Sequence, residues 1–376
     1  MPKHELPIKL VKEIEQYGKD LSDKKMEKVK EIVEKEYHNA KACPGEAVGL
    51  VAAESIGERG TQMTLNTKLL AGVAEMNVTT GLPRIIEILD GRQKLNTPMM
   101  EIYLNKPFSE GKNLKELALR IKETTFNELI KEFTINVAEL SIEAVLNKDK
   151  MKDLKLKEED IQKLIIKSVK GLAIKAKDDM LVFKLKSKEE NLNDVYKLKE
   201  KLKNVYICGV KKIKAVLPMK RGEEYIIVTS GINLKDVLQL EEVDDTRTYS
   251  NDLYECQEVL GIEATRQLII NEVIKVYEGQ GINVNIRHIM LVADTMCLNS
   301  EVKGITRYGV ISEKASVLAR ASFETPIKHI INASIVGEVD RLNSVIENVM
   351  LNQPVPIGTG LPSLVTKDRA KEKEEK

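Results

Sequence analysis

The chain has 376 residues, 42% hydrophobic and 31% charged, with a net charge of only +1 at pH 7. That length suits about two or three domains with a sizeable core, and the apolar fraction excludes a disordered protein. Balanced charge gives no global electrostatic case for nucleic acid, and 4% aromatic content without Trp argues against a stacking platform for single strands.

The N-terminal stretch MPKHELPIKLVKEIEQYGKDL is charged and lacks an apolar signal core. Over residues 7–38, Leu10, Ile14, Leu21, Val29, Ile32 and Val33 recur at near-helical spacing among Lys and Glu, so residues 1–43 are expected to be a helical segment.

Residues 44–98 differ in composition from their surroundings. Gly45, Gly49, Gly57, Gly60, Gly72 and Gly81 stand among Ala, Thr and Ser. Each glycine inside a helix costs about 1 kcal/mol relative to Ala, so close packing, tight turns or movement must offset it. A helix is expected over 46–56, packing closely through Gly49, Ala52 and Ala53, with a break or bend by Gly57 and Gly60. Residues 65–74 can be helix or loop. Pro83 opens a further helix, RIIEILDG, that stops at Gly91.

Residues 99–243 read as a mixed α/β insertion with its own core. Strands are expected at 99–104, within 133–146, and at 179–187, 205–217 and 223–230, with helices at 113–126 and 193–202. The Lys/Glu-rich stretch 147–178 joins its halves. Residues 244–362 are again mostly helical, with a turn near Gly261, an interruption at Pro326 and a Gly/Pro-rich closing loop. The charged tail 363–376 is expected to be disordered. The fold class is therefore α+β. No run approaches about 18 apolar residues, so no membrane partner is expected. Cys43, Cys208, Cys256 and Cys297 are far apart, which fits reduced thiols in a cytoplasm better than a zinc site or disulfides.

The chain holds no GxxxxGK(S/T) and no GxGxxG. Ser55 lies in no nucleophile elbow, and Asp178-Asp179 and Asp244-Asp245 read as solvated turns. By residue chemistry alone there is no self-contained active site. The stretch GTQMTLNTKLLAG (60–72) is different. Gln62, Thr64, Asn66 and Thr67 suit ribose hydroxyls or phosphates, while Met63, Leu65, Leu69 and Leu70 could pack on a base or into a core. Gln62, Leu65, Asn66 and Leu69 would share one helical face. By pattern alone, an ordinary amphipathic helix with Leu65 and Leu69 buried is the commoner outcome.

PGEAVGLVAAESIGERGTQMTLNT, followed by AGVAEMNVTTGLPRIIEIL, resembles the trigger-loop region of the largest subunit of multisubunit DNA-directed RNA polymerases. VDDTRTYSNDLYECQEVLGIEATRQLIINE (243–272), RHIMLVADTMCLNSEVKGITRYGV (287–310) and residues 313–360 resemble later parts of the same subunit, in the same order. The length and start resemble the archaeal form, in which this subunit is split and the C-terminal half is a separate chain. The resemblance covers roughly 40–100 and 243–362, and the middle matches the jaw and cleft region only in general character.

The resemblance implies a templated nucleotidyltransferase that is active only as a multisubunit complex, with a trigger loop (44–98) that folds over the incoming nucleotide and a jaw or cleft part (99–243). Gln62 and Asn66 match positions that contact the ribose hydroxyls, and Leu65 matches the residue that packs on the base. Leu69 stands where the family usually has a histidine, and leucine can neither donate a proton nor stabilise charge. Lys68 could reach the phosphates instead, although it is rotated about 100° away on a helix. Arg59 replaces a usual proline and Glu54 a common glutamine. The acidic loop for the catalytic Mg2+ is absent, so the ion is expected from the other half of the subunit and no cofactor from this chain. Implied partners are the N-terminal half of the largest subunit, the second-largest subunit, other subunits, DNA template, RNA transcript and ribonucleoside triphosphates. A divergent non-catalytic paralogue and a stand-alone α/β binding protein are the alternatives.

Overall fold

The computed structural model describes residues 6–18, 22–63, 67–69, 77–79, 81–111, 113–136, 141–154, 158–169, 172–177, 180–185 and 192–362. The expected tail, 363–376, lies outside them. In chain order, helices α1 (Ile8–Tyr17), α2 (Asp23–Asn39) and α3 (Val48–Thr61) are followed by strands β1 (Thr67–Leu69) and β2 (Asn77–Thr79) and by α4 (Leu82–Leu89). Next come β3 (Met99–Tyr103), α5 (Leu114–Ile121), β4 (Thr124–Thr125), α6 (Phe126–Leu129), β5 (Ile130–Asn136) and β6 (Ser141–Leu146). Then follow α7 (Lys148–Asp153), α8 (Glu158–Ser168), β7 (Leu172–Lys177), β8 (Met180–Leu185), α9 (Leu192–Lys203) and β9 (Tyr206–Cys208). After β10 (Ala215–Arg221), β11 (Glu224–Ser230), α10 (Leu234–Val237) and β12 (Tyr249–Ser250), the chain is helical: α11 (Leu253–Leu260), α12 (Ile262–Gly279), α13 (Ile286–Cys297), α14 (Val317–Phe323), α15 (Pro326–Val336) and α16 (Val345–Met350). The fold is α+β.

Two compact units result: Met1–Glu54 with Lys314–Lys376, and Ser55–Glu313. The second holds two four-stranded antiparallel sheets, ordered β10-β11-β3-β12 and β5-β6-β8-β7. In β6 the alternation of a half-buried strand puts Ile142, Ala144 and Leu146 inward, against Ile161 and Ile165 of α8 and Val195, Leu198 and Leu202 of α9. Phe126 meets Phe133 and Phe183 edge-on at 6.0 and 5.8 Å in the same core. The other sheet buries Met100, Ile102 and Ile227 against Leu117 and Ile121 of α5. Among the described residues the middle of the chain therefore has two main cores rather than one, because each sheet has an apolar face covered by its own helices, with a small cluster of Ile226 and Val228 beside them.

Several local expectations change. The helix over 7–38 is divided: α1 ends at Gly18, where a Cβ would lie 2.2 Å from the Met26 Cε. Residues 205–217 form two strands, since Gly209 at φ +96° turns the chain and closely approaches the Lys122 carbonyl. The stretch 147–178 is no simple joiner: it supplies α8 to cover a sheet and β7 to edge it. Pro326 does open a separate helix, and Gly261 at φ +92° separates α11 from α12. Among the described residues no helix is long and apolar enough to cross a membrane. The four cysteines form no disulfide.

Candidate functional site

Within the segment singled out by its glycines, the stretch from the end of α3 to the start of α4 has both flanks in the larger unit. On the entry side, α3 runs without interruption through Gly57 and Gly60 to Thr61. This corrects the expected break there. The glycines are not close-packed either: a Cβ at Gly49 or Gly57 would meet nothing within 4 Å, and one at Gly60 only a Leu82 methyl at 4.0 Å. Ala52 is buried, but Ala53 is exposed. The Tyr277 hydroxyl, deep in the core on α12, donates to the Ile56 carbonyl at 3.2 Å and ties the end of α3 down. Past the helix, the Gln62 N–H donates to the Arg59 carbonyl at 3.2 Å, and its side chain is exposed. Met63 then turns inward, 7% exposed, into the core that holds Ile85 and Ile88 of α4.

On the exit side, Gly81 caps α4 at φ +76° and ψ −151°, a backbone region open essentially only to glycine. Pro83 follows in the first turn, where its missing N–H costs nothing. The apolar positions Ile85 and Ile88 face the core, but so do Arg84 and Glu87. Arg84 is 4% exposed. Its Nη1 donates to the Glu87 carboxylate at 3.2 Å, and its Nη2 donates to the Asn251 carbonyl at 2.7 Å and to Glu272 of α12 at 3.1 Å. Asn96 donates to the other Glu87 oxygen at 2.6 Å. A guanidinium fork satisfied on both prongs is the arrangement in which a buried charge is tolerated.

The charge chain continues on the sheet. The Lys275 amine, 3.9 Å from Glu272, donates to Glu101 at 2.6 Å and to the Tyr249 hydroxyl at 3.1 Å. Arg221 donates to the second Glu101 oxygen at 2.8 Å. Burial alone would push the Glu101 carboxyl up, but Lys275 and Arg221 outweigh it and hold it below the usual range. The Lys275 amine is raised: burial opposes the charge, but Tyr249 and Glu101 prevail. Burial, with Glu101 adding to it, pushes Tyr249 up to about 12. At the far end of α4, Gly91 and Gly304 approach so closely that a Cβ on Gly304 would lie 2.1 Å from the Asp90 carbonyl. Ile305 donates to the Leu89 carbonyl at 2.7 Å there.

Between the two ends, β1 and β2 pair in antiparallel register, Thr67 with Thr79, Lys68 with Val78 and Leu69 with Asn77. This differs from the helix-or-loop expectation. Thr67, Val78 and Thr79 are β-branched and suit a ladder better than a helix interior. The helical face of Gln62, Leu65, Asn66 and Leu69 is thus not formed at 67–69. Leu65 and Asn66 lie outside the described residues, and Lys68 and Leu69 are placed in β1. Among the described residues no three of His, Cys, Asp and Glu come together in a way that could hold a metal ion.

The profile of the family RNA polymerase Rpb1, domain 5, matches residues 8–318, most of the chain. The chain belongs to this family. The match runs through residues 99–243, so the Rpb1 domain 5 likeness is not confined to the flanking blocks that resembled the polymerase in sequence. A relative, the DNA-directed RNA polymerase subunit Rpo1C of Thermococcus gammatolerans, is 43% identical over 366 residues, covering 96% of this chain and 92% of that one.

Sequence reading found the glycine-rich segment but missed the Arg84 cluster in this Rpb1 domain 5 chain. The available signal was an Arg and a Glu three apart inside LPRIIEIL, an otherwise apolar eight-residue helix. Two such charges on the core side imply partners elsewhere. Which ones, here Glu272 and the Asn251 carbonyl, required the tertiary fold.

Proposed function

We propose that this chain supplies the trigger loop and part of the jaw of a DNA-dependent RNA polymerase, closing over the incoming ribonucleoside triphosphate while RNA is extended on a DNA template. The observation that carries the reading is the family match over residues 8–318, which contains the whole glycine-rich segment. Closure of such an element excludes water and completes the site, a gating role. Gln62 and Asn66 would read the ribose hydroxyls and Leu65 the base. Leu69, at the usual histidine position, would act sterically, and Lys68 is the alternative phosphate contact. The Mg2+ that two-metal nucleotidyl transfer uses would be held by the N-terminal half of the largest subunit. That half, the second-largest subunit, DNA and the transcript are the proposed partners, and the cytoplasm the proposed location.

Single-nucleotide addition by the reconstituted polymerase tests this reading. Lys68→Ala should slow addition if the amine reaches the phosphates, and an unchanged rate removes that role. Leu69→His should raise the rate if the missing imidazole is a handicap. A complex that assembles with this chain yet never extends RNA would instead identify a non-catalytic paralogue.

A further inference from the structure

Arg84 lies in none of the loop positions discussed above, yet it occupies the point where the loop returns to the fold. It lies three positions after Gly81, the residue that sets the exit direction of the chain. Its two prongs engage different elements: Glu87 one turn along its own helix, and Glu272 of α12 together with the Asn251 carbonyl. Asn251 is itself fixed by its side chain, which donates to the Thr97 carbonyl at 2.9 Å and accepts from the Met99 N–H at 2.9 Å. Met63, the last described residue before the loop, packs in the core with Ile85, the next residue after Arg84. The entry and exit of the segment are thus referenced to one core, and the exit is oriented by one guanidinium.

We propose that Arg84 is a positioning residue for nucleotide addition, fixing the first turn of α4 so that Gln62, next to the Met63 that shares a core with Ile85, reaches the ribose in one register. This rests on the trigger-loop reading above. A positioned reading group acts only on substrates that carry the group being read, so the effect should fall on selectivity. A small misplacement of such groups is expected to cost far more rate than stability. Lysine keeps the charge but loses the planar fork, so it can serve one acceptor direction but not both sides of the network.

The experiment compares the reconstituted polymerase carrying Arg84→Lys, Glu272→Gln or Gln62→Ala with the unchanged enzyme. Single-nucleotide addition is measured with a ribonucleotide and with its 2′-deoxy analogue, and thermal unfolding of each complex is followed in parallel. Arg84→Lys should lower kcat for the ribonucleotide about tenfold, leave the deoxy substrate nearly unchanged, and so reduce discrimination about tenfold. Glu272→Gln, which keeps the side-chain volume and an acceptor, should give the same pattern at about threefold and carries the test if the lysine variant fails to assemble. A merely structural role would lower both substrates together or change only the melting temperature, and either result overturns the proposal. Discrimination that survives in Arg84→Lys and Glu272→Gln but falls in Gln62→Ala overturns the positioning role alone. Discrimination untouched in all three overturns the ribose-reading assignment and the positioning role with it.

Discussion

The two compact units bury opposite kinds of residue. In Ser55–Glu313 the cores are built from large side chains such as Phe126, Ile142, Phe183, Ile269 and Tyr277. In Met1–Glu54 with Lys314–Lys376 the buried apolar residues are Ile14, Ala52, Val317, Ala319, Ala321 and Ala333 among those described, and four of these six are alanines. The large apolar residues of that unit are outside instead. Along α15, Ile327, Ile331 and Ile335 recur every four residues at 74%, 50% and 77% exposure, with Phe323, Val336 and Val339 also exposed. One unit buries large apolar side chains in cores of its own. The other presents an apolar stripe of the kind that obligate interfaces cover, as expected of one subunit in a polymerase.

The largest effect that tests the contrast is in the sheet core. Phe126→Ala removes a side chain with no exposed surface that touches two other phenyl rings, and should cost about 3–5 kcal/mol of unfolding free energy. Ile335→Ala on α15 should stay within about 0.5 kcal/mol in the free chain. Urea unfolding of the full chain followed by circular dichroism measures both, and comparable losses at the two sites would erase the distinction between the units. The next effect reverses the ranking. Ile331→Asp should leave the free chain folded but weaken its incorporation into the polymerase by about 30-fold, roughly 2 kcal/mol, because a carboxylate would be buried without a partner. Titrating the chain into the remaining subunits reads this, and unaltered assembly would mean that the stripe stays in water.

Many elements of the fold, though not this contrast, were legible in the sequence, for identifiable reasons. The strands at 99–103, 141–146 and 180–185 and the helix of 192–203 carry regular apolar periodicity, and periodicity is local. Proline and glycine punctuation located the starts of α4 and α15 and the α11–α12 turn equally well. What was misjudged depended on tertiary neighbours. Gly57 and Gly60 read as a break, yet α3 continues through them because the Tyr277 hydroxyl and the inward turn of Met63 hold that end in place. The Thr67–Leu69 strand depends on a partner strand eight residues further on, which a helical count over 62–69 does not see. The Arg84 cluster was only half legible for the same reason: Glu87 is three residues away, but Asn251 and Glu272 lie far off in sequence.

Polar anchors separate the units too. In the smaller one, Asp340 accepts from the Ser316 hydroxyl at 2.7 Å and from the Leu342 and Leu318 N–H groups at 3.0 and 3.2 Å, staples that stand in for a large core. Burial pushes the Asp340 carboxyl up, but these donors overcome it and hold the group below its usual range. Asp340→Ala should cost about 1–3 kcal/mol, since it strands several donors at once. A cost near zero, in the same urea assay, would show that water replaces the carboxylate freely.

The smallest effect distinguishes how the two units hold their carboxylates. Glu101 has a folded pKa below its unfolded value of about 4.3. Its contribution to stability is therefore complete above that value and is lost as pH falls through the lower folded pKa. Lys275 is shifted the other way, so its part is complete below about pH 10.4 and is lost only as pH rises through its folded pKa. Near neutral pH both are intact, and the acid loss belongs to the carboxylate. The same acid-side sign holds for Asp340, so pH alone does not tell the units apart. Salt does. Glu101 is lowered by Lys275 and Arg221, whose side chains are 44% and 58% exposed, and such charge pairs are screened. Asp340 is lowered by neutral hydroxyl and backbone donors in short contact, which salt hardly touches. The stability difference between the unchanged chain and Glu101→Gln at pH 6 should shrink in 1 M salt, whereas that for Asp340→Asn should persist. If both differences respond equally to salt, the larger unit does not depend on ion pairing where the smaller depends on neutral donors.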